Sequence, residues 1–139
     1  MTGKTHLATG ILGSLLLCNN IYGGILLSFG SILPDIDHHN SFLGKNIPLF
    51  SKLFKHRGFT HSLLFAFMVW FIEPFICYGI LIHIFFDLMT HNGVALLSPL
   101  TYKFRFPFAK YISTGKWFER ILCILIYLII LLVLIKMYL

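Results

Sequence analysis

The chain has 139 residues, of which 58% are hydrophobic and 12% charged. A soluble domain is nearer about 45–50% apolar and about 25% charged, and a small one leaves much of its surface in water. The composition therefore excludes a water-soluble fold and points to an integral membrane protein of one domain, residues 1–139. The net charge of +6 fits basic loops at an anionic lipid surface. No nucleic-acid partner is expected, because the aromatic and basic array that binds single strands is absent.

The N-terminus has Lys4 before an apolar run but no convincing cleavage site for a leader, so residues 1–18 are expected in the mature protein. A first helix is predicted over about Thr5–Cys18, broken by Asn19-Asn20. A second runs over about Ile21–Leu33 and stops at Pro34, which restricts the residue before it. Each is short for a bilayer core of about 30 Å, and their glycines permit close contact in lipid. A polar, basic loop is expected over about Asp35–Arg57. Thr60 or Ser62 is placed to cap a third helix over about His61–Ile72. Glu73-Pro74 interrupts the chain, with Glu73 read as a turn residue. A fourth helix is predicted over about Phe75–His91, ended by Asn92-Gly93.

The second loop, Asn92–Lys116, alternates Lys103, Arg105 and Lys110 with Tyr102, Phe104, Phe106, Phe108 and Tyr111. That pattern suits the headgroup zone, although a half-buried strand would alternate in the same way. Residues 117–139 form the clearest span, almost all Leu and Ile after Arg120. Glu119, between Lys116 and Arg120, reads as a surface ion pair. Cys18, Cys77 and Cys123 sit in apolar runs and read as fillers. The expected fold is all-α: a membrane-embedded bundle of about five helices, residues 1–116 bearing the site and 117–139 a C-terminal transmembrane helix.

An up-and-down order brings the starts of odd helices and the ends of even helices to one end of the bundle. Asp35, Asp37, His38, His56, His61, His83, Asp87, His91 and His6 all fall there. So do the basic residues except Lys136, which makes that end cytoplasmic by the positive-inside rule. His83, Asp87 and His91 recur every four residues and would stack on one helix face. Imidazole and carboxylate are ligands of zinc-type ions, and ionisable groups on an apolar helix belong inside the protein. The ligands exceed what one tetrahedral ion needs. Two or more divalent ions are expected, zinc by preference, with manganese or iron as alternatives. Such centres activate water for displacement at phosphorus. Asp37 or Asp87 is the candidate base. Arg57 reads equally as a phosphate-binding fork and as a snorkelling interface residue. His39 reads as a helix-end residue, not a ligand.

Pro34-Asp35-Ile36-Asp37-His38, then His56-Arg57-Gly58-Phe59-Thr60-His61-Ser62, then His83-x3-Asp87-x2-Thr90 after the early His6, resembles the YdjM-like family of bacterial and archaeal inner-membrane proteins. The resemblance covers His6 to about Pro99. It implies metal-dependent hydrolysis, with His6, Asp35, Asp37, His56, His61, His83 and Asp87 as the site and Arg57, Thr60 and Thr90 in support. One branch of that family is named for binding the LexA repressor. A looser similarity to zinc-dependent phospholipases C is analogy only.

The expected protein is thus a multi-pass inner-membrane hydrolase. It would cleave a phosphoester or pyrophosphate bond of a lipid or lipid-linked substrate, with membrane lipids as its surroundings and a protein partner conceivable at the cytoplasmic face. The competing classes are a non-catalytic scaffold with a structural metal and a metal-binding transporter. A transporter would want polar residues continuing across the membrane, and the first three predicted helices offer few.

Overall fold

Asn20 separates the first two helices by capping the second, its side chain accepting from the Gly23 amide at 2.7 Å. The computed structural model describes the backbone of residues 1–139 and the side chains of all but Lys110 and Tyr111. Those two members of the second loop's alternating run lie outside the described residues. Helix α1 spans Gly3–Leu17 and α2 spans Ile21–Gly30, followed by a 3-10 helix over Leu33–Asp37.

The expected irregular loop that follows contains two short helices, α3 (Phe42–Asn46) and α4 (Pro48–Leu53). Ser41 caps the first, accepting from the Gly44 amide, and Pro48 opens the second at a position where no amide is needed. Helix α5 is Leu63–Trp70. Ser62 is its cap, accepting from the Phe65 amide at 3.1 Å, so His61 precedes the helix, in a 3-10 turn over Phe59–His61. Helix α6 is Pro74–Leu88, with Glu73 as its N-cap. It ends three residues short of His91, and Gly93, at φ 60°, follows in the turn. The second loop forms no regular strand among the described residues. A single antiparallel bridge joins Val94 to Phe104, and Lys103 and Arg105 are exposed. Helix α7 is Trp117–Tyr138. The fold is all-helical.

Helix α6 is the centre of the packing, against α2, α5 and α1, while α7 lies on α1. Its contact with α2 is backbone on backbone. A Cβ on Gly79 would stand 2.2 Å from the Leu27 carbonyl oxygen, and one on Gly30 would stand 2.2 Å from that of Ile76. Gly79 was not singled out in the sequence, because its partner is a carbonyl that any residue carries. One apolar cluster joins Ala66, Cys77, Ile80, Ile84 and Val94, and a second joins Ala8, Ile126 and Ile130. Buried Cys77 acts as the expected filler.

The exterior is apolar. Ile21 is 84% exposed, Ile72 80% and Leu132 65%, far more greasy surface than a soluble monomer shows. Among the described residues α7 alone has the length and hydropathy of a membrane span: 22 residues at mean hydropathy 2.9, with 11% of its apolar window buried. At 1.5 Å per residue it is about 33 Å long. Helices α1 and α6, at 15 residues each, reach only about 22 Å.

Replacing Gly79 with alanine forces α2 and α6 apart. The expected cost is on the order of 2 kcal/mol, read as a lower unfolding temperature in detergent, whereas Gly3→Ala, with nothing within 4 Å of the added methyl, leaves that temperature unchanged.

Candidate metal centre

One turn beyond Gly79 on α6 stands His83, and one residue beyond Gly30 on α2 is Ser31. The tight glycine contact therefore brings the His83 ring to the Ser31 carbonyl, to which its Nδ1–H donates at 2.7 Å. A carbonyl only accepts, so Nδ1 holds the proton and neutral His83 presents a bare Nε2. Opposite it, 3.1 Å away, is His61 Nε2. The other nitrogen of His61 lies 3.0 Å from Thr60 Oγ1 and 3.2 Å from Asp37 Oδ2. With that nitrogen donating, a neutral His61 would turn a second lone pair toward His83, a repulsion that a proton on Nε2 or a metal cation relieves.

Two carboxylates close the figure. Asp35 Oδ1 is 3.8 Å from both His61 Nε2 and His83 Nε2. Asp87 Oδ2 is 3.7 Å from His61 Nε2 and 3.9 Å from His83 Nε2. Zinc bonds of about 2.0–2.1 Å at tetrahedral angles separate ligand atoms by ~3.4 Å, and the distances from His61 and His83 to each other and to Asp35 and Asp87 scatter around that value. Asp87 Oδ2 is buried with no hydrogen-bond partner among the described residues, as are both nitrogens of His6. An orphaned carboxylate oxygen costs free energy unless something binds it.

His6 stacks on His83 with ring centres 3.6 Å apart, and its Nε2 is 3.3 Å from Asp87 Oδ1. That oxygen also meets the Met1 ammonium and Arg57 Nη2 at 3.3 Å. His6, His83 and Asp87 thus form a second group of ligand type, beside the group of Asp35, Asp37, His56 and His61.

Asp37 is a hub. Its Oδ1 is 2.7 Å from His56 Nδ1. Its Oδ2 accepts from Thr60 Oγ1 at 2.5 Å and from the Arg57 amide at 3.1 Å. With both oxygens occupied, it fits the carboxylate that orients a ligating imidazole better than the base that the sequence suggested. Burial opposes its ionisation, but the donors from His56, His61 and Thr60 outweigh burial and hold its pKa down to about 2. Asp35 is likewise held below the usual carboxylate range, burial being outweighed by His61 and the neighbouring imidazoles. Burial alone would lower His61, yet Asp35 and Asp37 raise it to about 9. The same field that draws a proton there would draw a metal cation.

Arg57 is 5% exposed, which rules out snorkelling. Its φ of 62° lies where L-residues are strained. Nη1 donates to Thr90 Oγ1 at 2.9 Å and Nη2 reaches Asp87, so the guanidinium is tied to α6. His56 is half-buried, its Nδ1 spent on Asp37. His38 stands beside His56, ring centres 4.5 Å apart, and burial and His56 push its pKa down. The expected stripe of His83, Asp87 and His91 is cut short because α6 ends at Leu88. His91 is exposed, and neither it nor His38 joins the two ligand groups.

Glu119 is a correction. It is 2% exposed, and it accepts from the Thr2 amide at 2.5 Å, Thr5 Oγ1 at 2.8 Å and the Gly115 amide at 2.6 Å. It pins the head of α7 to α1, one residue before His6.

The profile of the family described as YdjM inner membrane protein matches residues 1–139. The chain belongs to that family. It is 37% identical over 141 residues to "Uncharacterized protein YvsG" of Bacillus subtilis (strain 168), covering 87% of this chain and 86% of the relative. It is 37% identical over 115 residues to "Inner membrane protein YdjM" of Escherichia coli (strain K12), covering 69% of this chain and 58% of that protein. The Shigella flexneri protein of the same name matches equally. No solved structure matches. Membership of this family and the apolar exterior agree on a membrane protein whose buried His and Asp groups are of metal-binding type.

Two outcomes follow. Glu119→Ala strands two amides and a hydroxyl and lowers stability by about 1–3 kcal/mol, measured by thermal unfolding in detergent. In chelator-treated protein the raised pKa of His61 stabilises below the unfolded value of about 6.5. That contribution is lost as pH rises through about 9, so the unfolding temperature falls over this window, and His61→Gln flattens the fall.

Proposed function

We propose that the chain is a metal-dependent phosphohydrolase of the membrane boundary. The observation that carries the reading is the pair of facing Nε2 atoms, His61 and His83, bracketed by Asp35 and by the orphaned Asp87 Oδ2. These four side chains hold one divalent ion. Zinc suits the ligand set best, with manganese and iron also compatible. A bound ion of this kind lowers the pKa of water and neutralises charge developing at phosphorus. In the reaction, water oxygen bonds to phosphorus, the phosphorus–oxygen bond to the leaving group breaks, and the leaving oxygen takes up a proton.

The other residues have supporting roles. Asp37 keeps His61 and His56 in orientation, and Arg57 holds Asp87 in place. His6, whose Nε2 faces Asp87 and whose Nδ1 has no hydrogen-bond partner among the described residues, is the candidate proton acceptor. A second ion at His6 and Asp87 would have to displace the Met1 ammonium, whereas the central one requires no such displacement. The whole chain acts as one unit: α1, α2, α5 and α6 embed beside the α7 span and carry the site at the cytoplasmic end. Lipid phosphates are the substrate class because α7 begins at the level of the site, where headgroups lie.

One observation favours a second reading. If His61, His83, Asp35 and Asp87 all ligated one ion they would leave it no open position, and a closed site is the mark of a structural ion. A scaffold built on that ion, with the basic loops as its binding surface, is the alternative.

Elemental mass spectrometry on detergent-purified protein tests the centre. Wild type is expected to retain at least one equivalent of zinc, manganese or iron, and His61→Ala and Asp87→Ala to lose it. His38→Ala and His91→Ala are expected to keep it. A metal-free wild type after reconstitution at neutral pH sinks the proposal. Metal without hydrolysis of any phospholipid or polyprenyl phosphate leaves the scaffold.

A further inference from the structure

Beside the cluster of histidines and aspartates a cavity of about 960 Å³ opens between α1, the head of α7 and the segment Asn40–Leu43. That is at the upper end of the range of ligand sites, about 300–1,000 Å³. Its wall is mostly apolar, with Phe42, Ile124 and Tyr127 among the lining residues. It reaches the cluster, because Asp35 is part of the same wall and its side chain is 12% exposed.

The charges in the wall are sorted. Asp35 faces His61 and His83, and Glu119 is consumed by its three donors. Lys4 and Arg120 also line the cavity and are exposed. Neither takes part in an ion pair or side-chain hydrogen bond among the described residues. Two unpartnered cations over an apolar hollow complement a phosphate joined to a hydrocarbon chain. The hollow opens along the first turns of α7, so a chain can enter it sideways from a bilayer.

We propose that this cavity seats the hydrocarbon chain of an anionic phospholipid, with Lys4 and Arg120 taking its phosphate beside Asp35. The proposal rests on the phosphohydrolase reading for its purpose, since it names the route by which a lipid phosphate reaches the metal site. It does not rest on that reading for its test, which measures binding without turnover.

Cys123 lines the cavity and is half-buried, while Cys77 is buried. In full-length Cys18→Ser protein in maltoside micelles, Cys123 is therefore the thiol open to maleimide. The probe is a dioleoyl phosphonate analogue of phosphatidic acid, which keeps the charge and lacks the ester bond to be cleaved. It is expected to slow Cys123 labelling about tenfold, with glycerol 3-phosphate having no effect and dioleoylglycerol protecting less. Lys4→Ala with Arg120→Ala raises the half-protecting concentration about tenfold, and Ile124→Trp, which fills the hollow, removes protection while metal content is retained.

Equal protection by glycerol 3-phosphate assigns the site to free phosphate and overturns the proposal. So does equal protection by dioleoylglycerol, or protection unchanged in both the double variant and Ile124→Trp. Protection without any hydrolysis upholds the cavity and removes the catalytic reading. Metal-dependent lipid hydrolysis with Cys123 unprotected removes the cavity and leaves the catalytic reading.

Discussion

Asp87 is 1% exposed and Asp37 3%, with Asp35 at 9% beside them, in a chain whose outside is hydrocarbon. A carboxylate taken out of water must be paired or must neutralise itself. Much of the local structure follows from that requirement. Arg57 adopts a backbone conformation disfavoured for any side chain, and in doing so its amide reaches Asp37 while its guanidinium reaches Asp87. Thr60 turns its hydroxyl onto Asp37 and not onto the start of α5. Capping of that helix passes to Ser62.

The second constraint is height. The imidazoles and carboxylates come from four separate segments, and they meet only if α2 and α6 lie at one fixed offset. Gly30 and Gly79 set it by letting backbone touch backbone. Lipid supplies no hydrophobic drive to press helices together, so close packing of small residues does that work. Glu119 adds a polar latch between α7 and α1 in the same layer as His6. The molecule is therefore apolar at its rim and polar at one end of its interior, the reverse of a soluble domain.

How much of this was legible in the sequence depends on what kind of partner each residue has. Residues whose partners are side chains of complementary chemistry could be read. Asp35, His61, His83 and Asp87 stood out as polar positions in apolar surroundings, and connectivity alone brought them to one end. Residues whose partners are backbone atoms could not. Ser31 contributes a carbonyl, Gly79 an absence of Cβ, and neither leaves a chemical mark. Glu119 was misread because its partners are the Thr2 and Gly115 amides and Thr5 Oγ1, not the basic residues that flank it in sequence. A lone acid at the head of an apolar span was the available signal. His91 was misread because a period of four was carried past the point where α6 stops. Asp37 belongs to a group of ligand type as its sequence position suggests, but residue type cannot show that its oxygens also meet His56, Thr60 and the Arg57 amide.

Charge counting ties the site to its expected substrate. The three aspartates are set against the Arg57 guanidinium and the Met1 ammonium, both in contact with Asp87. With the imidazoles neutral, one negative charge remains. A proton on His61 cancels it, which is why that ring is held protonated well above its ordinary range in the absence of any other cation. A divalent ion in the same position would do more, turning the pocket from one negative charge to one positive. An anionic pocket repels phosphate, and the cationic one attracts it. On the proposed reading the ion would let substrate approach as well as activate water, and a singly charged phosphodiester would leave the buried cluster neutral, the state that a low-dielectric surrounding favours.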